Sequence, residues 1–393
     1  MAIQSTSIKE FIRQHANDDV NKLALKASKF PEIDLPYAIQ QIAGRKAIAE
    51  KVPTWHAVDD LLFPRHISLE QCSSEITAQY KASLTKGETL VDLTGGFGID
   101  CAFMAESFKR VTYVDRNADL CEIAKHNFSL LQLQHIMVVN DEALHFLEKI
   151  ENVACIFIDP ARRNGHGGKT VAISDCEPDV EFLAPQLLAK AKQVIIKLSP
   201  MLDLTLALQA LPQTTAVHIV SVNNECKELI LILENRLVEN IPITCINFTK
   251  QDIQTFIFSK QEEQACTSDY TSELDDYLYE PNASIMKGGA YKSLAIRFKM
   301  KKLHSNSHLY TSTERIENFP GRIFKIKSIF SMNKNELKQS LDGIKQANIT
   351  VRNFPSSVAD LRKRLKLNEG GSTYLFATTL ADERKVLVKC VKG

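Results

Sequence analysis

The sequence predicts a multidomain α/β protein: a mostly parallel, doubly wound sheet of Rossmann-like type, with a helical region before it and a small basic α+β module after it. Three observations carry this reading. Between residues 90 and 234, short β-branched runs alternate with helical patterns, as strands joined by helical crossovers do. The first run closes on Asp92 and passes through Thr94-Gly95-Gly96-Phe97-Gly98 into a helical pattern at Ile99, which reads as strand, tight loop, helix. Charge is also uneven. Residues 285–393 carry 22 Lys+Arg against 8 Asp+Glu, leaving 26 against 39 for the rest of a chain whose net charge is only +1.

A chain of 393 residues exceeds what one core usually serves. The expected organisation is a helical region over 1–82, a ligand-binding α/β domain over 83–260, an acidic linker over 261–280 and a basic module over 281–393. In the first region Ser7-x-x-Glu10 has the spacing of a capping box, and Val20, Leu23 and Leu25, then Ala38, Ile39 and Ile42, recur at helical spacing. The polar-faced segment 70–81 reads as a lid, a substrate entrance or a solvent-facing helix.

Strands are expected at 90–93, 111–114, 136–139, 154–158, 194–197, 216–222 and 229–233. The last two, joined by the short Asn223-Asn224-Glu225-Cys226 turn, should form an antiparallel hairpin at one sheet edge. One or two more strands fall in 241–258. In the basic module, strands are expected at 293–298, 324–329, 349–354, 373–378 and 385–390, and helices at 334–346 and 358–367, with Gly370-Gly371 as a turn.

Composition limits the function classes. No apolar run approaches the roughly 20 residues of a membrane span, and residues 1–16 lack a signal peptide's layout, so a cytoplasmic location without membrane partners is expected. Nine cysteines are scattered without a CxxC pair or a Cys/His cluster and read as buried reduced thiols, with no metal site. His304-x-x-x-His308 has helical metal spacing but sits in a Ser/Asn-rich loop. The basic excess is the footprint of a polyanion partner, most often nucleic acid. Nothing in the sequence bears on oligomeric state.

The chemistry gathers at the carboxyl ends of four consecutive strands, where ligands bind in open α/β sheets. Asp92, Thr94, Gly95, Gly96 and Gly98 form the loop. Asp115 ends the second strand, 23 residues beyond Asp92, where an acid can accept hydrogen bonds from ribose hydroxyls. Asp141, after the third, can reach an adenine amino group or serve as a helix cap. The fourth ends in Asp159-Pro160-Ala161-Arg162-Arg163, followed by a glycine-rich loop with His166 and Lys169. Lys197-Leu198-Ser199-Pro200, at the end of the fifth, lines the substrate side or simply starts a helix.

In this order and spacing the chain resembles class I S-adenosylmethionine-dependent methyltransferases. Asp92-x-Thr94-x-Gly96-x-Gly98 is similar to their first motif, with Thr94 where the first glycine usually stands, and the crossovers followed by a hairpin resemble their seven-stranded sheet. A dinucleotide-binding dehydrogenase fits less well, since its third glycine or alanine would fall at Cys101. Asp159-Pro160 is similar to the (Asp/Asn/Ser)-Pro-Pro-aromatic turn of enzymes that methylate nitrogen, and departs from it at Ala161 and Arg162.

Stretches around Glu70-Gln71-Cys72-Ser73, Lys197-Leu198-Ser199-Pro200, Arg352-Asn353-Phe354-Pro355 and Glu369-Gly370-Gly371 extend the resemblance to a bacterial methyltransferase family with a ferredoxin-like segment and a C-terminal THUMP-like domain. That resemblance implies S-adenosyl-L-methionine as cofactor, held by Asp92, Thr94, Gly95, Gly96, Gly98, Asp115 and Asp141. It implies Asp159 and Pro160 at the target nitrogen and RNA, tRNA or rRNA, as partner. Arg162, Arg163, Lys169, Arg352, Arg362, Lys363 and Arg364 are the candidate substrate contacts; Arg162 stacks on a base, meets a phosphate or bridges to an acid. The alternatives are an RNA-binding protein whose methyltransferase fold no longer catalyses, and a methyltransferase of protein or small molecules.

Overall fold

A computed structural model describes residues 6–162 and 173–393. The chain divides into two compact units, Met1–Thr215 with Ile230–Leu237, and Ala216–Leu229 with Val238–Gly393.

The first unit begins with helices α1 (Thr6–Gln14), α2 (Val20–Ala24), α3 (Leu35–Lys51), α4 (Pro53–His56), α5 (His66–Gln71) and α6 (Glu75–Ser83). Ser7 lies inside α1, so the expected capping box is not that helix's start. Asp34 caps α3 by accepting from the Tyr37 N–H, and Pro36 sits in its first turn, where a missing N–H costs nothing. Phe11, Leu23, Leu35, Ala38 and Ile42 form the small core of these helices.

The α/β part follows as β1 (Gly87–Asp92), α7 (Ile99–Ala105), β2 (Phe108–Asp115), α8 (Ala118–Leu130), β3 (Ile136–Asn140), α9 (Ala143–Lys149), β4 (Val153–Ile158), the short pair β5 (Ala161–Arg162) and β6 (Cys176–Glu177), α10 (Val180–Lys190), β7 (Ala191–Leu198), α11 (Leu204–Ala210), β8 (Thr214–Val222) and β9 (Glu225–Glu234). Each strand expected from the alternating pattern is present. The pairs β1–β2, β2–β3, β1–β4 and β4–β7 are parallel. Val194, Ile195 and Ile196 are buried in succession, as in a strand covered on both faces.

The N-terminal segment is fastened to this part by paired polar contacts. Asn127 of α8 accepts from Leu62 N–H and donates to Leu62 O, both at 2.9 Å, while within the segment itself Gln41 accepts from Phe63 N–H at 2.9 Å and donates to Phe63 O at 3.0 Å.

In the second unit β10 (Ile243–Phe248) pairs parallel with β8 and antiparallel with β11 (Ile253–Phe258). The sheet order is β11-β10-β8-β9-β7-β4-β1-β2-β3. The β8/β9 hairpin turns on Asn223 and Asn224, both at positive φ as a two-residue turn requires. It is not at the sheet edge as expected: β10 and β11 continue the sheet beyond β8, giving nine strands among the described residues.

Of the stretch 261–280, expected as a linker, the two ends lie in α12 (Lys260–Ala265) and β12 (Tyr277–Pro281), with irregular chain between them. After α13 (Ala283–Gly288), residues 293–298 form a helix, α14 (Lys292–Arg297), where a strand was expected. The reason is remote in sequence. The Glu263 carboxylate accepts from the N–H groups of Tyr291, Lys292 and Ser293 at 3.0, 2.8 and 2.9 Å, and so caps a helix that its own apolar residues do not announce.

A second sheet, order β13-β14-β12-β15-β18-β17-β16, is built from β13 (Lys301–Lys302), β14 (Tyr310–Ser312), β15 (Gly321–Phe330), β16 (Asn348–Arg352), β17 (Thr373–Thr379) and β18 (Lys385–Lys392), with α15 (Lys334–Ser340) and α16 (Val358–Leu365) beside it. α15 is shorter than the expected 334–346. Gly370 and Gly371 have positive φ, as their turn demands.

Removing the Asn127 amide would leave two half-buried backbone groups of Leu62 without this partner, so Asn127→Ala is expected to cost about 1–3 kcal/mol in urea unfolding, whereas an unchanged midpoint would deny the clamp its role.

Candidate active site

The site lies in the first unit and starts from the loop after β1. Leu93 N–H donates to Phe157 O at 3.0 Å and Gly95 N–H to Val114 O at 2.9 Å, so the loop is laid against both neighbouring strands. A Cβ at Gly95 would sit 2.1 Å from the Tyr113 ring, so only glycine fits there. Gly98 closes the turn at φ 88° and starts α7, donating to Gly95 O at 2.9 Å. A Cβ at Gly96 would meet nothing nearer than Thr94 O at 3.8 Å, so this face of the loop is open to a ligand.

Asp92 is buried at 1% exposure and accepts from Thr94 N–H at 3.0 Å. Burial pushes its carboxyl well above the usual range, against that hydrogen bond. Asp115 accepts from Gly96 N–H at 2.9 Å and Asn117 N–H at 2.8 Å; burial raises it too, opposed by these two donors. Tyr113 donates its hydroxyl to Gly96 O at 2.6 Å. The second strand thus holds the glycine loop from below and presents Asp115 beside it.

Asp141 differs from expectation. Its carboxylate accepts from His145 at 2.7 Å and Lys149 at 2.9 Å, and Lys149 and then His145 lower it to about 2.

Asp159 is tied to the loop through the chain itself: its N–H donates to Thr94 Oγ1 at 2.6 Å. The residue in the first-glycine position therefore has a use that a glycine could not supply. Pro160 is buried behind it. Ala161 and the Arg162 backbone pair with Cys176 and Glu177. The Arg162 side chain, Arg163, His166 and Lys169 lie outside the described residues.

Sequence reasoning missed the charges beneath Asp159. Lys197 Nζ lies 2.5 Å from Asp159 Oδ2, 3.4 Å from Asp100 Oδ2 and 3.2 Å from Ser73 Oγ. Asp100 pairs on its other side with Lys81 at 3.1 Å, and Ser73 donates to it at 2.7 Å. Burial raises the Asp100 carboxyl, yet Lys81 and Lys197 outweigh it and the net direction is down. Segment 70–81 is thus neither a lid nor a solvent-facing helix: Ser73 and Lys81 are buried against Asp100. The signals in the sequence were Lys197 at the end of the fifth strand and an acid two residues past the last glycine; Lys81 gave none.

The remaining predicted contacts belong to the second unit. Arg352 donates to the buried Glu280 at 2.9 Å, alongside Arg322. Arg362, Lys363 and Arg364 form the last turn of α16; Arg362 lies 3.8 Å from Glu369, while Lys363 and Arg364 are exposed. Arg362, Lys363 and Lys366 line a shallow groove of about 480 Å³. Among the described residues no group of His, Cys, Asp or Glu is arranged to hold a metal, and no helix is long and apolar enough to cross a membrane.

Residues 277–320 match the model of a ferredoxin-like domain and residues 321–392 that of a THUMP-like domain. The chain is similar to a "putative methyltransferase" from Porphyromonas gingivalis W83, with 34% identity over 98% of each chain and a TM-score of 0.88. An rRNA methylase from Streptococcus thermophilus is 15% identical over 42% of this chain and 95% of its own, with a TM-score of 0.30. TrmK from M. capricolum, in complex with S-adenosyl-homocysteine, is 14% identical over 46% and 72%, with a TM-score of 0.32. Curated proteins give no match.

The raised Asp92 carboxyl has a sign that can be measured. Its native affinity for a proton exceeds the ordinary one set by a value of 3.8, so this stabilisation is complete below that value and is lost as pH rises through the native one. Asp92→Asn keeps an acceptor for Thr94 N–H but cannot ionise. Its melting temperature should therefore fall less than the wild type's between about pH 4 and pH 8; parallel curves would locate the effect elsewhere.

Proposed function

We propose that this chain, which belongs to the class I S-adenosylmethionine-dependent methyltransferase family with a C-terminal THUMP-like domain, methylates a base nitrogen in structured RNA, tRNA or rRNA. The observation that carries the reading is the bond from Asp159 N–H to Thr94 Oγ1, which fixes the acid of the fourth strand against the glycine loop of the first.

When bound, the cofactor supplies a methyl carbon activated by a sulfonium. The open face at Gly96 gives it room, and Asp115, whose oxygens each keep a lone pair beyond their backbone donors, accepts from its ribose hydroxyls. Asp141, committed to His145 and Lys149, is left out of this set. Asp159 and the Pro160 carbonyl accept the N–H groups of the target amine and turn its lone pair toward the methyl. Alignment of this kind is the main thing a direct displacement asks of a protein. Asp159, or water beside it, would take the surplus proton from the methylated nitrogen.

The basic module supplies the polyanion surface. Lys363 and Arg364 on α16, with Arg362 and Lys366 beside them, offer phosphate contacts whose strength falls with salt. A base in a duplex would first have to be turned out of its stack. The departure at Ala161 and Arg162 favours a second reading, an RNA-binding protein whose fold no longer catalyses.

RNA from a strain lacking the protein, incubated with the protein and radiolabelled cofactor, should take up label, and nucleoside mass spectrometry should place it on a base nitrogen. Asp159→Asn should lower the rate by about a hundredfold, with S-adenosylhomocysteine affinity unchanged. Asp115→Ala should weaken that affinity by about tenfold or more, roughly 1.4 kcal/mol, in calorimetry. Cofactor binding without transfer to RNA or protein would support the second reading, and label found in protein would overturn the RNA assignment.

A further inference from the structure

We propose that Lys197 is a positioning residue for methyl transfer: its ammonium holds Asp159 as an oriented carboxylate and is itself held by Ser73 and Asp100. The proposal rests on the reading above, in which Asp159 receives the acceptor's N–H.

β4 and β7 are parallel neighbours with Ile158 opposite Ile196, so the next residues, Asp159 and Lys197, leave the sheet side by side. The Lys197 side chain is 10% exposed and that of Asp159 34%, so the cation is the more deeply buried partner of the two. An ammonium has three hydrogens. The acceptors around this one include Asp159 at 2.5 Å, Ser73 Oγ at 3.2 Å and Asp100 at 3.4 Å. As a positioning residue Lys197 acts on Asp159 and not on the acceptor.

Its footing is fixed in turn. Ser73 Oγ donates to Asp100 and receives from both Lys81 and Lys197, which uses its one hydrogen and both lone pairs. Lys81 and Lys197 against Asp100 and Asp159 make a balanced set of two charges of each sign. A plain structural role would not require such a set, since apolar packing of the same volume is often no less stable. Its product is a carboxylate that stays ionised in a half-buried place and points one way. Without the cation, burial favours the neutral acid, which can turn an O–H toward the amine and lose the alignment.

The test uses the full chain as Lys197→Met and Lys197→Arg, saturated with S-adenosylhomocysteine. Carboxyl ¹³C NMR of labelled aspartates, with the Asp159 signal assigned by Asp159→Asn, should show the Asp159 midpoint rising by about one pH unit or more in Lys197→Met and returning toward wild type in Lys197→Arg. On RNA from the null strain, kcat should fall by about tenfold or more in Lys197→Met while KM for the cofactor stays put, and the acid limb of the rate profile should move to higher pH.

Should Lys197→Met not fold, Asp100→Asn combined with Lys197→Met keeps the buried set neutral and carries the same expectation. An Asp159 midpoint indifferent to Lys197 overturns the proposal even if RNA is methylated. A midpoint that responds in a protein that methylates no RNA upholds the hold of Lys197 on Asp159 and overturns the RNA reading instead.

Discussion

Four charged side chains meet in one place, three of them nearly shut off from water, and the first unit is built to make that tolerable. Lys81 has no exposed surface at all, and Asp100 and Lys197 have little. Ions in such a place persist only when each finds partners of the opposite sign and its remaining hydrogen-bonding capacity is met. The partners come from four separate stretches: Ser73 with Lys81, Asp100, Asp159 and Lys197. The helix before the sheet, the helix after the glycine loop and two central strands must therefore all be in place together. The glycine loop is tied to this arrangement by Thr94 and Asp159.

The same region is sealed from the other side by rings. Phe97, within the glycine loop, packs against Trp55 and Phe63 with ring centroids at 5.2 and 6.1 Å. Gly44 of α3 lets the backbone approach Phe63, whose Cβ would be 2.3 Å from a methyl placed there. The N-terminal helices thus serve the loop directly, through apolar contact at Phe97 and polar contact at Asp100.

The strands of the parallel sheet were legible because burial on both faces writes itself as continuous β-branched runs, and the loop because its glycines are demanded by Tyr113 and Phe128. Asp92, Thr94, Asp115 and Asp159 could be found by their places at strand ends. What could not be read was any interaction between distant residues. Glu263 turns 293–298 into a helix across some thirty positions, and Lys81 looks like any surface lysine until α6 lies against α7. Asp141 shows the converse: its place at a strand end was read correctly, but its neighbours one and two helical turns on, His145 and Lys149, had already claimed it.

The fastening of Asp100 also bears on where the donor fold begins. A boundary at residue 83, just before β1, would respect the strand pattern and yet cut away Ser73 and Lys81. The excised piece would keep every glycine of the loop while leaving a carboxylate in its interior short of a counter-ion. In this protein the smallest autonomous piece that keeps the buried charges balanced has to reach upstream past Ser73, and the stretch carrying Ser73 and Lys81 is better regarded as part of the interior of the first unit than as an appendage to it.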